Sequence, residues 1–270
     1  MNEKIELIKI FEKYGSDKID HNYLNVYSSY LEEIKNNKLK ILEIGIADGK
    51  SLLAWSDYFQ NSIIIGIDIH KINIIEKKLD KKNIEIHQGS QSDKNFIKKI
   101  IEKYREFDVI IDDGSHFPKD VKKSFDLLFP SLVNNGLYFV EDLQTSYIHF
   151  FGGNPFDLKY SNSHMNFFKG LTDSLNYQEI ANPFYRKNKY VSKIINISFF
   201  HNMVILRKGI NNIESTELIN HSYEDKKYLE KVNRTKKKIR YYLKYKVIFK
   251  IYTYSLFIYH FLKKAFLFRF

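Results

Sequence analysis

The residues best suited to chemistry fall in two short stretches. Asp112-Asp113-Gly114-Ser115-His116 follows the apolar run Val109-Ile110-Ile111, and Glu141-Asp142 follows Leu137-Tyr138-Phe139-Val140. An apolar run that empties into acids is how a buried parallel strand reads when its carboxyl end opens onto a ligand site. If the two strands are neighbours, Asp113, Glu141, Asp142 and His116 meet. Several carboxylates in one cleft repel one another unless a cation neutralises them, so the cluster predicts a hard divalent metal. Either stretch alone also reads as solvated loop acids beside a helix cap; two such stretches, each after a strand, favour the site. Asp112 and Asp113 compete for the inward position, because alternation along a strand sends adjacent side chains to opposite faces.

The elements that must position these residues are regular. Lys38 to Gly45 reads as a strand entering a glycine turn, followed by a helix through Leu52, Trp55 and Phe59. Ile63 to Ile67 is a second buried strand ending in Asp68, and Ile84 to His87 a third. Helices are predicted at about 72–79, after an N-cap at Asp93, from Pro118 to Phe129, and from about Met165 to Ile180. Lys193–Phe200 and Met203–Leu206, joined at His201-Asn202, form a closing antiparallel hairpin. Together these predict an α/β fold, a doubly wound, mostly parallel seven-stranded Rossmann-like sheet. Leu143 to His164 has little periodicity and reads as a lid or substrate loop.

The glycine turn, Glu43-Ile44-Gly45-Ile46-Ala47-Asp48-Gly49, lacks the G-x-G-x-x-G dinucleotide pattern. A pyrophosphate needs helix N-terminal amides free of nearby anions, and Asp48 stands in its path. S-adenosylmethionine carries a cationic sulfonium and no phosphate, so acids at Glu43 and Asp48 suit it better than they suit NAD. Asp68, at the end of the second strand, is placed to hydrogen-bond the ribose hydroxyls of an adenosine.

Six motifs in order, YGSDK at 14–18, EIGIADGKS at 43–51, GIDI at 66–69, GSQSD at 89–93, IDDGSH at 111–116 and GLYFVEDLQTSY at 136–147, resemble the metal-dependent sugar O-methyltransferases of the macrocin and mycinamicin type, including relatives in capsule and lipopolysaccharide clusters. The resemblance spans about residues 11–209. It implies Asp113, Glu141 and Asp142 as Mg2+ ligands and His116 as general base, a role histidine suits because the ordinary imidazole pKa, about 6.5, lies near neutrality. It implies cofactor contacts at Gly45, Gly49, Asp68, Ser90 and Gln91, joined by Lys18, Tyr23, Glu43, Ser51 and Asp113. Ala47 departs from the pattern, which usually has a second glycine there. The implied reaction is methylation of a sugar hydroxyl in a bacterial surface polysaccharide or secondary-metabolite glycan. The competing readings are a catalytically silent scaffold of polysaccharide assembly docked at the membrane and an NAD-dependent sugar oxidoreductase.

Composition divides the chain. It has no cysteine, which excludes disulfides and thiolate sites and fits a cytoplasmic protein. The net charge is +11, yet ten of the 43 basic residues lie at 236–270 with no acid, leaving 33 against 32 acids over the rest. The basicity therefore belongs to the tail, and no nucleic-acid partner is expected. Residues 1–210 read as the methyltransferase domain, 211–235 as a polar connector and 236–270 as a basic, aromatic, amphipathic tail. The tail's longest uncharged run, Ile251–Leu262, is 12 residues, short of the roughly 20 a membrane span needs. Its mix of aromatic and basic side chains suits an anionic bilayer surface, placing the protein peripherally on the inner face of the membrane; packing against a partner is the alternative, and homo-oligomerisation is open.

Overall fold

The computed structural model describes residues 2–70, 83–180, 185–213 and 234. The predicted helix at 72–79 and the tail at 236–270 lie outside the described residues, as does nearly all of the connector beyond 213. Contacts divide the chain into Met1–Ile213 and Glu214–Phe270; the fold below belongs to the first.

The apolar runs form strands β1 (Lys40–Ile44), β2 (Ile63–Asp68), β3 (Ile84–Gln88), β4 (Phe107–Asp112), β5 (Leu132–Val140), β6 (Ile194–Phe200) and β7 (Met203–Lys208). They make one seven-stranded sheet in the order β3-β2-β1-β4-β5-β7-β6. Strands β1 to β5 pair in parallel, and β7 pairs antiparallel with both β5 and β6. The order reverses between β1 and β4, so a crevice opens at their carboxyl ends, where open α/β sheets bind ligands. The expected sheet and its closing hairpin are both present.

Alternation along the strands splits the core in two. Ile41, Ile64, Val109, Ile111, Leu137 and Phe139 pack on one face with Leu7, Phe11, Tyr27 and Trp55. Those partners come from α1 (Asn2–Tyr14), α2 (Tyr23–Leu31) and α3 (Lys50–Tyr58). Leu42, Ile44, Ile65, Ile110, Tyr138 and Val140 face the other way, toward α4 (Lys94–Tyr104), α5 (Pro118–Leu128) and α6 (His164–Gly170). Asp93 caps α4, its carboxylate accepting from the Asn95 and Phe96 amides.

The helix expected from Met165 to Ile180 is instead broken. α6 stops at Gly170, a four-residue α7 (Thr172–Leu175) follows, and Tyr177–Glu179 is a 3-10 turn. Glycine weakens a helix, and the side chains of Thr172 and Asn176 hydrogen-bond the carbonyls of Lys169 and Thr172, competing with helix continuation. Between β5 and α6 the expected loop begins with two 3-10 turns, Leu143–Tyr147 and His149–Phe151.

Candidate active site

Register brings the two acid stretches together. Asp112 pairs with Val140, and the Glu141 amide donates to the Asp112 carbonyl at 3.0 Å, so Asp113 and Glu141 leave neighbouring strands side by side. Alternation then separates the acids. Asp112 faces the α5 side, fully buried, where it accepts from Gln91 Nε2 (3.0 Å), Tyr138 OH (3.2 Å) and Ser124 Oγ; burial pushes its carboxyl up to about 6. Asp113 and Glu141 take the α1–α2 side, as does the buried Glu43 of β1.

Lys18 waits for them there. Gly15, at φ +66, ends α1 and turns the chain into a short 3-10 segment, Asp17–Ile19, that sends Lys18 inward. Its side chain is only 3% exposed, and Nζ lies 2.5 Å from Asp113 Oδ2, 2.7 Å from Glu141 Oε1 and 3.3 Å from Glu43 Oε1. Burial pulls the ammonium pKa down, but the three carboxylates outweigh it and hold the group charged. Burial and the adjacent Asp113 push Glu141 up to about 8. Tyr27 OH also donates to Glu141 Oε1.

Tyr23 lies one helical turn before Tyr27 and serves the next acid in the chain, its OH 2.7 Å from Asp142 Oδ1. Gln144 Nε2 reaches the same oxygen at 3.1 Å. Burial raises the Asp142 pKa, and these hydrogen bonds more than reverse it, for a net lowering. Asp142 and His116 both adopt the left-handed backbone, at φ 55 and 58. Such non-glycine residues cost about 1–2 kcal/mol each and concentrate at functional sites. Here the conformation turns both side chains toward one point. His116 Nε2 stands 3.7 Å from Asp142 Oδ2 and 4.0 Å from Asp113 Oδ1. One ligand atom each from Asp113, His116 and Asp142 lie within 4.8 Å of one another. Glu141, 3% exposed, stands outside this group, turned toward Lys18 and Tyr27.

The three residues border a cleft of about 680 Å³. Its far wall is the glycine turn. A Cβ on Gly45 would lie 2.1 Å from the Asp113 carbonyl oxygen, so the close approach of β1 to β4 requires glycine there. Asp68 Oδ2 accepts from the Ile46 and Ala47 amides at 3.0 and 3.2 Å, and its Oδ1 from His70 N, so the carboxylate braces the turn. Ala47 itself has φ 43, a region that favours glycine. Gly49 precedes α3, and Ser51 donates to buried Glu43 at 2.8 Å. Ser90 and Gln91 both border the cleft, and Gln91, largely buried, also spends its amide on Asp112, Ser124 and the Ser115 N–H.

Sequence reasoning missed Tyr27, the Ser124–Tyr138 pair on Asp112, and a buried layer behind the site. Thr145 Oγ1 donates to the Asp142 carbonyl at 2.7 Å and lies 3.3 Å from Nε2 of His164, which is fully buried. Tyr23 and Tyr27 four apart on α2, opposite two consecutive acids, is the pattern that carries part of this information.

Comparison with known proteins places this geometry. No protein-family model matches the chain. It is 31% identical over 221 residues to mycinamicin VI 2''-O-methyltransferase of Micromonospora griseorubida, covering 78% of this chain and 54% of that one. It is 32% identical over 200 residues to demethylmacrocin O-methyltransferase of Streptomyces fradiae, covering 71% and 50%. The crystal structure of the MycE methyltransferase of the mycinamycin pathway with Mg, SAH and mycinamycin VI superposes with a TM-score of 0.73 at 29% identity, over 82% of this chain and 58% of that one. The chain thus spans about half the length of the curated relatives it matches.

Proposed function

The chain is a homologue of the macrocin- and mycinamicin-type sugar O-methyltransferases, and from that premise we propose that it transfers a methyl group from S-adenosylmethionine to a sugar hydroxyl with the help of a divalent cation. The observation that carries this reading is the convergence of Asp113, His116 and Asp142 at the carboxyl ends of β4 and β5. The two carboxylate oxygens suit Mg2+ or Mn2+, and the imidazole beside them is left to act as base.

The cleft fits the cofactor by charge. Six Asp and two Lys line it; Lys18 is committed to three carboxylates and Lys50 to Asp48 at 2.6 Å. A pyrophosphate meets repulsion there, whereas a sulfonium meets attraction.

In this reading Asp113 and Asp142 hold the cation, and Glu141, the expected third ligand, backs them through Lys18. When bound, the cation would acidify the acceptor hydroxyl and hold it in place. His116 takes the hydroxyl proton as the oxygen attacks the sulfonium methyl. The C–S bond breaks with its electron pair going to sulfur, leaving a methyl ether and S-adenosylhomocysteine. Phe151 lies edge-on to His116 with ring centroids 6.2 Å apart, and Phe117 packs on Phe150 and Phe151. Phe150 is 78% exposed, so an apolar face adjoins the base and offers the acceptor a surface.

For the acceptor we take a sugar of a secondary-metabolite glycan or a bacterial surface polysaccharide. No helix among the described residues is long and apolar enough to cross a membrane; we assign the 236–270 tail to an anionic bilayer surface on its composition. Thermal shifts with S-adenosylhomocysteine and with NAD test the cofactor, and a larger shift with NAD would refute the reading. Co-sedimentation with phosphatidylserine vesicles, full chain against a chain ending at Asn233, tests the tail; equal pelleting would remove the membrane assignment.

A further inference from the structure

Each carboxylate facing the cation position has one oxygen tied from behind. Asp113 gives Oδ2 to Lys18 at 2.5 Å, and its Oδ1 faces His116. Asp142 gives Oδ1 to Tyr23 and Gln144, and its Oδ2 faces His116. The two holders come from one short stretch of chain, the turn after α1 and the first residue of α2, and both are buried, Lys18 and Tyr23 each 2% exposed. Neither side chain can turn away from its place without releasing an acid.

We propose that Lys18 and Tyr23 are positioning residues: each fixes one oxygen of a carboxylate and so presets Asp113 and Asp142 as single-oxygen ligands aimed at one cation. This rests on the cation-dependent reading above. A loose carboxylate samples both oxygens and several rotamers, and binding must then freeze it; a carboxylate held in advance avoids that loss. Groups in this position behind metal ligands typically account for about 10–100-fold in metal affinity.

The test is Mn2+ binding to the full chain by electron paramagnetic resonance, with S-adenosylhomocysteine affinity measured by calorimetry on the same samples. Tyr23→Phe keeps the ring and removes only the hydroxyl, with Gln144 still on Asp142. It should weaken Mn2+ about 10-fold or more while leaving S-adenosylhomocysteine affinity and melting temperature near wild type. A loosened fold would lower all three together, and that result would overturn the proposal. So would Mn2+ affinity within twofold of wild type, or a loss confined to S-adenosylhomocysteine. Lys18→Met should weaken Mn2+ similarly; because it leaves buried carboxylates unpaired and risks misfolding, Tyr23→Phe decides. Failure of the cation-dependent reading itself looks different, since wild type would then bind no Mn2+.

Discussion

Gly45→Ala probes the joint between fold and site. The new Cβ would stand 2.1 Å from the Asp113 carbonyl oxygen and 2.6 Å from Gly114 Cα, where real side-chain carbons keep at least 3.0 Å. The obstacles are backbone atoms, so the end of β4 must retreat by roughly 1 Å, taking Asp113 with it. The residue also sits at φ +76, which costs an L-residue about 1–2 kcal/mol. Adding about 1–3 kcal/mol for overpacking, the variant should lose about 2–5 kcal/mol in urea denaturation, measured metal-free. Within an ordinary domain stability of about 5–15 kcal/mol it should still fold. In the folded variant, affinities for Mn2+ and S-adenosylhomocysteine should both drop, because the displaced segment borders both. A loss below 1 kcal/mol with both affinities intact would show that the glycine is not what lets β1 approach β4.

Two further outcomes follow from strained and buried residues. Ala47, at φ 43, should gain about 0.5–1 kcal/mol on replacement by glycine, read as a higher urea midpoint; an unchanged or lower midpoint would contradict the assigned strain. Burial holds the His164 ring neutral, its pKa lowered to about 4. The unfolded chain takes up that proton below its ordinary value of about 6.5, so stability present above pH 6.5 is lost as pH falls toward 4, by about 3 kcal/mol. His164→Leu should lose that much less over the same window in urea denaturation; parallel loss in both proteins would refute the effect.

Much of the fold was legible because parallel strands are apolar runs with sharp ends, and β2, β4 and β5 each empty into an acid or lead straight to one. The closing hairpin was legible for the same reason. The broken helix after Gly170 was not, because Thr172 and Asn176 act through local side-chain bonds that periodicity does not weigh. Within the site, Asp113 could be named from the family pattern, but its separation from Asp112 needed the register that sets each face. The buried carboxylate contacts of Lys18 were the least legible: its partners lie 95 and 123 residues away, and a lysine in a turn gives no local sign of being buried. The left-handed backbone of His116 and Asp142 was likewise invisible, since neither is glycine.

The decisive measurement is calorimetric titration of Mg2+ into the protein saturated with S-adenosylhomocysteine, for wild type and Asp113→Asn. Acids of β4 and β5 that grip one divalent ion should give a single site per chain in wild type, lost in the variant while S-adenosylhomocysteine stays bound. Superimposable isotherms, or no Mg2+ heat in wild type, would contradict it.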